Sequence, residues 1–231
     1  MRMFSDALDD DLLIGKLRMR AYDPARRFDE ATVPSEWVED RFGKERIELA
    51  WRSSYPIDSE GTIYFPAGSE EAVEYYQDAP RGPMFPPASP AEVEYVEARI
   101  GHQLPGILRR LYTEVADGGF GPDARGLGCL RYGNRDPRGV VWPSVVQLHR
   151  RDRRNGLPAS WFELSPGGCT MYWYASLTEP DNPVLLYDAD GWDPDQGQRP
   201  EDGITHITPS LREWLWTWAA GGDVWAPALL R

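Results

Sequence analysis

The arrangement of apolar patterns along this chain of 231 residues predicts an α+β fold. Helical periodicity dominates residues 89–121, and short β-rich runs bounded by Gly, Pro and Asp follow between residues 161 and 207. A last amphipathic pattern at residues 211–218 predicts a closing helix. Because the helices and strands are grouped rather than alternating, we expect a central, mostly antiparallel sheet of about five to six strands flanked by helices.

The first 85 residues mix helical and strand patterns. An i, i+4 apolar series predicts a helix over residues 4–21, and a second helix is predicted over residues 36–42. Residues 46–51 fit either a strand or the end of a helix. A strand is predicted at residues 62–65, and Ser69 is placed to cap the helix that follows it.

A proline-rich stretch at residues 79–88 separates this region from the rest of the chain. Such a composition predicts a stiff, extended linker. We therefore predict two parts, an N-terminal extension of mixed helix and strand at residues 1–85 and a compact domain at residues 88–231. The sequence leaves open whether the extension packs on that domain.

The segment after the linker has the start and stop signals of two consecutive helices. Ser89 and Glu92 fit a capping box, and Gly101 is placed to end the first helix. Pro105 suits the first turn of the second helix, and the glycine pair at residues 118–119 can end it in a left-handed conformation. Their apolar faces would consist of Val93, Val96 and Ile100 in the first helix and Ile107, Leu108, Leu111, Tyr112, Val115 and Ala116 in the second.

The second half of the chain is rich in strand patterns. The predicted strands lie at residues 127–132, 140–142, 161–164, 170–176, 184–187 and 204–207. A helix with a basic end is predicted at residues 144–154. Thr208 or Ser210 would cap the closing helix, whose apolar stripe is Leu211, Trp214, Leu215 and Trp218.

Within residues 88–225 several segments resemble the signature of one protein family. They are PAEV (90–93), EARIGHQLP (97–105), LRRLY (108–112), ADGGFG (116–121), GGCTMYW (167–173) and PSLREWL (209–215). Together they are similar to the SUKH superfamily, which contains fungal cell-wall-synthesis regulators and bacterial immunity proteins of toxin systems. Residues 1–85 resemble the N-terminal extensions of actinobacterial-type members. One departure lies at residues 164–169, where many relatives carry an Asp-Trp-Gly-Cys-like run.

The resemblance implies a SUKH-like fold and a binding function. Immunity proteins of this family neutralise a toxin by covering its active site, and many such toxins are nucleases with basic surfaces. We therefore expect a non-enzymatic protein-binding module of the immunity type. The alternative is a housekeeping regulatory or scaffold protein of the same fold, and an uncharacterised hydrolase is a third, less favoured hypothesis.

Charge is distributed unevenly along the chain. The net charge of −12 divides into −8 for residues 1–80, +4 for residues 81–154 and −8 for residues 155–231. A strongly acidic protein repels nucleic acid and attracts basic proteins. We therefore expect a protein partner, such as a basic toxin domain, and no nucleic acid. The simpler interpretation is that the acidity only maintains solubility.

Composition also constrains the compartment. No run of about eighteen apolar residues is present, which argues against a transmembrane helix and a membrane partner. The N-terminal residues lack the apolar region of a secretory signal. Cys129 and Cys169 are too few for a disulfide scaffold and lack metal-ligand spacing. We expect a cytoplasmic protein, and the sequence leaves its oligomeric state open.

Motifs for catalysis, cofactors and metals are missing from the sequence. His102, His149 and His206 lack metal-ligand spacing, and no nucleophile elbow or phosphate-binding loop is present. The run that begins at Asp188 fails the EF-hand pattern, because Asp193 stands where Gly is required. We predict no catalytic, cofactor or metal residues. An enzyme would require distant groups, such as a histidine with Asp or Cys169, to converge in a pocket.

Two charged stretches remain as candidate surfaces. Residues 179–202 contain eight acidic side chains and one arginine, which suits a basic partner. The predicted partner-binding residues are Asp188, Asp190, Trp192, Asp193, Asp195 and Trp216. Trp216 lies opposite the apolar stripe of its helix, where it is either buried by another segment or an interface anchor. The arginines at residues 150–154 fit a solvated helix end better than a phosphate or RNA site.

Overall fold

The computed structural model describes residues 2–52, 61–123, 125–137 and 139–229. Within these ranges the predicted α+β class is confirmed. Helices flank a four-stranded antiparallel sheet, and a separate two-stranded sheet lies in the N-terminal region.

The N-terminal region forms helices around a pair of antiparallel strands. The helices are α1 (Arg2–Ala21), α2 (Ser35–Phe42), α3 (Lys44–Arg52) and α4 (Glu70–Tyr75), and the strands are β1 (Glu30–Pro34) and β2 (Thr62–Pro66). These elements confirm the predicted helices at residues 4–21 and 36–42 and the predicted strand at 62–65. The undecided segment at residues 46–51 belongs to α3. Ser69 caps α4 as predicted, because its Oγ accepts a hydrogen bond from the Ala72 amide.

The first helix is part of the main hydrophobic core. It packs against α8 (Leu211–Ala219) and against residues 111–115, and its buried side chains are Leu13, Ile14, Leu17 and Ala21. Ion pairs of 2.7 Å join Asp10 to Arg212 and Asp11 to Arg110. Residues on both sides of the proline-rich stretch thus share one core, and a domain boundary at residues 79–88 stays a prediction.

The helical hairpin has the predicted caps. In α5 (Pro90–Ile100), Ser89 and Glu92 form the capping box, and Gly101 ends the helix at φ 79°. The second helix begins as α6 (Gly106–Arg110) and widens into a single π turn at Leu111–Val115.

The left-handed conformation predicted for the glycine pair after this helix is confirmed, but the pair does not end the helix, because Ala116 is already extended at φ −165°. Gly118 and Gly119 have φ values of 73° and 70°, which are the left-handed conformations that glycine adopts without strain. A Cβ on Gly118 would lie 2.5 Å from the carbonyl oxygen of Gly128, so the chain approaches its neighbour where a side chain does not fit.

The central sheet has the strand order β3-β4-β5-β6, with antiparallel neighbours throughout. Its strands are β3 (Trp161–Pro166), β4 (Met171–Ser176), β5 (Val184–Asp188) and β6 (Ile204–Thr208). One side of the sheet, here called the core face, carries Phe162, Leu164, Trp173, Ala175, Val184, Leu186 and Ile207. The opposite side, here called the outer face, carries Trp161, Glu163, Tyr172, Tyr174, Leu185, Tyr187 and Ile204.

The strands predicted at residues 127–132 and 140–142 are wrong. In this region the described residues form only isolated bridges, between Cys129 and Ser144 and between Arg135 and Val141. The reason is the buried Asp117 carboxylate, which accepts hydrogen bonds from the backbone amides of Leu130 and Arg131 and removes them from a ladder. The central sheet therefore has four strands rather than the expected five to six.

The remaining helices enclose the sheet. The predicted helix at residues 144–154 is α7 (Val145–Arg154), which packs beside β3 and starts with a Ser144–Gln147 capping box. Of the two candidate caps for α8, Ser210 is the one used, and the predicted stripe of Leu211, Trp214, Leu215 and Trp218 is buried. A short helix, α9 (Ala226–Leu229), follows. No helix in the described part of the chain is both long and apolar enough to span a membrane.

Candidate protein-binding site

The acidic segment, defined here as residues 179–202, flanks β5 and supplies most of the connection to β6. Asp188 organises the start of this connection. Its Oδ1 accepts hydrogen bonds of 3.0 Å from the Thr170 hydroxyl and from the Asp190 amide. Asp188 is therefore a turn-forming residue at the end of β5, whereas Asp190 points its carboxylate into solvent.

Asp193 organises the next part of the connection in the same way. Its two carboxylate oxygens accept hydrogen bonds of 2.9 Å from the Asp195 amide and from the Gln196 side chain. The Asp195 side chain is exposed and makes no hydrogen bond within the described residues. Thus two of the predicted aspartates shape the loop, and two present free charge.

Trp192 fixes the loop to the sheet. Its indole N–H donates to the Tyr187 hydroxyl at 2.9 Å, and the half-buried ring packs on the outer face with Tyr172 and Ile204. The connection between β5 and β6, residues 189–203, is here called the acidic loop. It is consequently anchored to β5 at two points, the Asp188 turn and the Trp192 ring.

Ion pairs among the described residues do not neutralise the charge of the acidic segment. None of its eight carboxylates forms an ion pair with any residue that the structure describes. Six of the eight are exposed, namely Glu179, Asp181, Asp190, Asp195, Glu201 and Asp202. Four of these six lie in the connection between β5 and β6, and their unpaired like charges create a negative potential that attracts a basic surface.

Trp216 lies away from the other predicted partner-binding residues. It is on α8, which packs with α1 on the core face, whereas the acidic loop and Trp192 belong to the outer face. Its ring is 37% exposed, and Lys16 Nζ lies 5.6 Å from the ring centroid. The structure therefore brings the four aspartates and Trp192 together and leaves Trp216 on a separate surface.

Sequence reasoning missed a buried charged cluster on the outer face. Arg151 of α7 forms an ion pair of 2.7 Å with Oδ1 of the adjacent Asp152, and it also pairs with Glu163 of β3. Its guanidinium also lies 5.0 Å from the Tyr172 ring centroid, a cation–π distance. The prediction of a solvated helix end is wrong for Arg151, because its guanidinium pairs with Glu163. Sequence reasoning missed this partner, because the alternation of β3 places Glu163 on the outer face among polar and aromatic residues.

Burial changes the ionisation of this cluster. It raises the pKa of Glu163 to about 7 despite the Arg151 cation, and it also raises the pKa of Asp152. The side-chain accessibilities of these carboxyls are 4% and 3%. Asp152 Oδ2 and the Tyr174 hydroxyl are buried without a hydrogen-bond partner in the described structure.

The groups that an enzyme would require lie on different elements. His149 Nε2 is 3.0 Å from the Ala159 carbonyl oxygen, His206 is exposed on β6, and Cys169 is exposed in the turn between β3 and β4. Cys129 is buried, and burial raises its pKa to about 12, which disfavours the reactive thiolate. No group of three potential metal ligands occurs among the described residues.

The comparison with known proteins adds no family to this geometry. No protein-family model matches the chain, and no curated protein is significantly similar to it. Membership of the SUKH superfamily stays a prediction from the motifs of residues 88–225.

Proposed function

We propose that this chain is a non-enzymatic, immunity-type protein that binds and neutralises a basic toxin domain, such as a nuclease. The observation that carries the proposal is the acidic segment, whose six exposed carboxylates have no compensating ion pair among the described residues. Four of the six lie on the structured connection between β5 and β6, namely Asp190, Asp195, Glu201 and Asp202. The SUKH resemblance supports the same function, since immunity proteins in that family act by covering a toxin.

Electrostatics would contribute mainly to the rate and selectivity of association. A fixed cluster of negative charge steers a basic partner towards the loop and accelerates encounter. Affinity would then require a central anchor, and Trp192 is the aromatic side chain at the base of the acidic loop. We expect salt to slow association strongly, because exposed charges are screened beyond a Debye length of about 8 Å at physiological ionic strength.

The decisive experiment reverses charge where the loop geometry does not depend on it. Asp190, Asp195 and Glu201 are exposed, and their side chains make no hydrogen bond in the described structure, so their replacement by Lys leaves the turns at Asp188 and Asp193 intact. The binding target to be tested is any basic toxin-like domain that a neighbouring gene encodes. Surface plasmon resonance would measure its association rate and affinity.

The matched control reverses three exposed carboxylates elsewhere. Glu36 and Asp40 on α2 and Glu45 on α3 are replaced by Lys, which changes the net charge by the same amount. We expect the acidic-segment variant to lose at least tenfold in affinity and the control variant to lose much less. Equal losses in both variants, or neighbouring genes without any toxin-like domain, would count against the proposal.

A further inference from the structure

A groove between α5, α7 and the loop after residue 130 has features of a second binding surface. Its volume is about 570 Å³, and its lining includes Tyr95, Leu130, Tyr132, Val146, Gln147 and Arg150. The sequence does not place these residues together, because the structure draws them from two helices and an irregular loop.

Two tyrosines at this groove are unusually exposed for aromatic side chains. Tyr132 is 77% exposed and Tyr95 is 54% exposed, whereas the groove floor of Leu130 and Val146 is buried. Neither tyrosine hydroxyl makes a hydrogen bond within the described residues. Exposed tyrosines over an apolar floor are characteristic of protein interfaces, where one side of the ring is buried and the hydroxyl is bonded.

The groups that remain free in the groove are donors. Arg150 is exposed and has no ion pair in the part of the chain that the structure describes, and the side-chain nitrogen of Gln147 is likewise without a partner there. By contrast, both oxygens of Glu92 are occupied by Arg131, at 2.6 and 3.1 Å. Arg131 holds the pKa of Glu92 down to about 2, so this carboxylate stays ionised and paired at neutral pH.

We propose that this groove binds an acidic peptide segment of a partner protein, with a carboxylate on Arg150 and an apolar side chain between Tyr95 and Tyr132. The free donors of Gln147 and Arg150 and the apolar floor together match such a segment, and the Arg99 guanidinium, 5.1 Å from the Tyr95 ring centroid, adds a second cation beside them. Nucleic acid fits less well. Its binding requires several phosphate contacts, whereas Arg150 is the one cation of the groove lining without an ion pair among the described residues.

The proposal goes beyond the acidic segment, because it concerns another surface and a ligand of opposite charge. Its test uses a short fluorescein-labelled peptide of alternating Glu and Leu or Phe, with fluorescence anisotropy as the measurement. A second peptide with Gln in place of Glu isolates the contribution of charge. A labelled single-stranded oligonucleotide of equal charge tests the nucleic-acid alternative.

Two matched pairs of variants locate the binding site. Arg150→Glu and Arg154→Glu make the same charge change on α7, but Arg154 does not line the groove. Tyr132→Ala and Val140→Ala truncate two exposed side chains of one loop, and Val140 does not line the groove. We expect Arg150→Glu and Tyr132→Ala each to weaken peptide binding by about tenfold or more, and the two controls by less than about twofold.

Several results would overturn the proposal. They are undetectable binding of the Glu peptide, equal binding of the Gln peptide, equal losses for Arg150→Glu and Arg154→Glu, and tighter binding of the oligonucleotide than of the peptide. Because the toxin-binding measurement uses other residues and a basic ligand, failure of either proposal is recognisable independently.

Discussion

The two sides of the central sheet show how differently one sheet can be stabilised. The core face is uniformly apolar and meets α1 and α8 through tryptophans such as Trp173 and Trp214, whose centroids lie 5.7 Å apart. The outer face combines aromatic rings with two buried carboxyls and a half-buried guanidinium. The stability that the core face contributes is therefore insensitive to pH. The stability that the outer face contributes depends on pH, and this face also carries the acidic loop.

The largest expected effect compares tryptophans on the two sides. Trp173 is fully buried, and Trp173→Ala should cost about 3–5 kcal/mol of unfolding free energy through lost burial and a residual cavity. Trp192 is half-buried, and Trp192→Ala should cost about 1–2 kcal/mol. Urea unfolding followed by circular dichroism measures the stability of both variants. Equal losses would contradict the assignment of the main core to the core face of the sheet.

The next effect is the pH dependence of the outer face. The native pKa of Glu163 is raised from 4.5 to about 7, so the folded state binds more protons than the unfolded state between these values. Stability should therefore fall as pH rises through this window, by about 3 kcal/mol at most.

The control for this titration is Glu163→Gln, a neutral side chain of similar shape. The stability of this variant should change less than that of the wild type between pH 4.5 and 7, because the variant lacks the titrating carboxyl group. Parallel stability curves for the two proteins would show that Glu163 is not the group responsible.

A smaller effect is expected when the cation of the cluster is removed. Arg151→Ala leaves Asp152 and Glu163 buried without a counterion, and it should cost about 2 kcal/mol at pH 8, less than a fully buried pair because Arg151 is 37% exposed. The loss should shrink at pH 5, where Glu163, whose pKa is raised to about 7, is protonated. Arg154→Ala, at an exposed position of the same helix, should change stability by less than about 0.5 kcal/mol at either pH.

The smallest expected effect belongs to the acidic loop. Reversing Asp190, Asp195 and Glu201 to Lys should alter the unfolding free energy by less than about 0.5 kcal/mol per residue, because none of the three side chains is bonded. Thermal unfolding checks this directly. A collapse of the melting temperature would mean that these carboxylates support the fold rather than a partner.

Sequence patterns predicted the parts of this molecule that depend on local chemistry. The capping box at Ser89, the left-handed Gly118 and the stripe of α8 all follow from spacing along one element. The strand predicted at residues 127–132 is wrong for a reason that lies outside its own pattern. The Asp117 carboxylate accepts hydrogen bonds from the backbone amides of Leu130 and Arg131.

The candidate sites show the same limit. The acidic segment is contiguous and could be read directly, whereas the Arg151–Glu163 pair and the groove at Tyr95 and Tyr132 unite residues from separate elements. Trp216 and the acidic residues share a composition that suits an interface, but they lie on different sides of the sheet. Proximity of this kind depends on topology, which periodicity does not encode.

The most direct test of the proposed function is hydrogen–deuterium exchange of this chain with and without a basic toxin-like domain that a neighbouring gene encodes. The account predicts that binding slows exchange mainly in residues 189–203, between β5 and β6, and that the protection is reduced in the Asp190, Asp195 and Glu201 charge-reversal variant. Protection confined to α1 and α8 around Trp216, with the acidic loop unchanged, would contradict it.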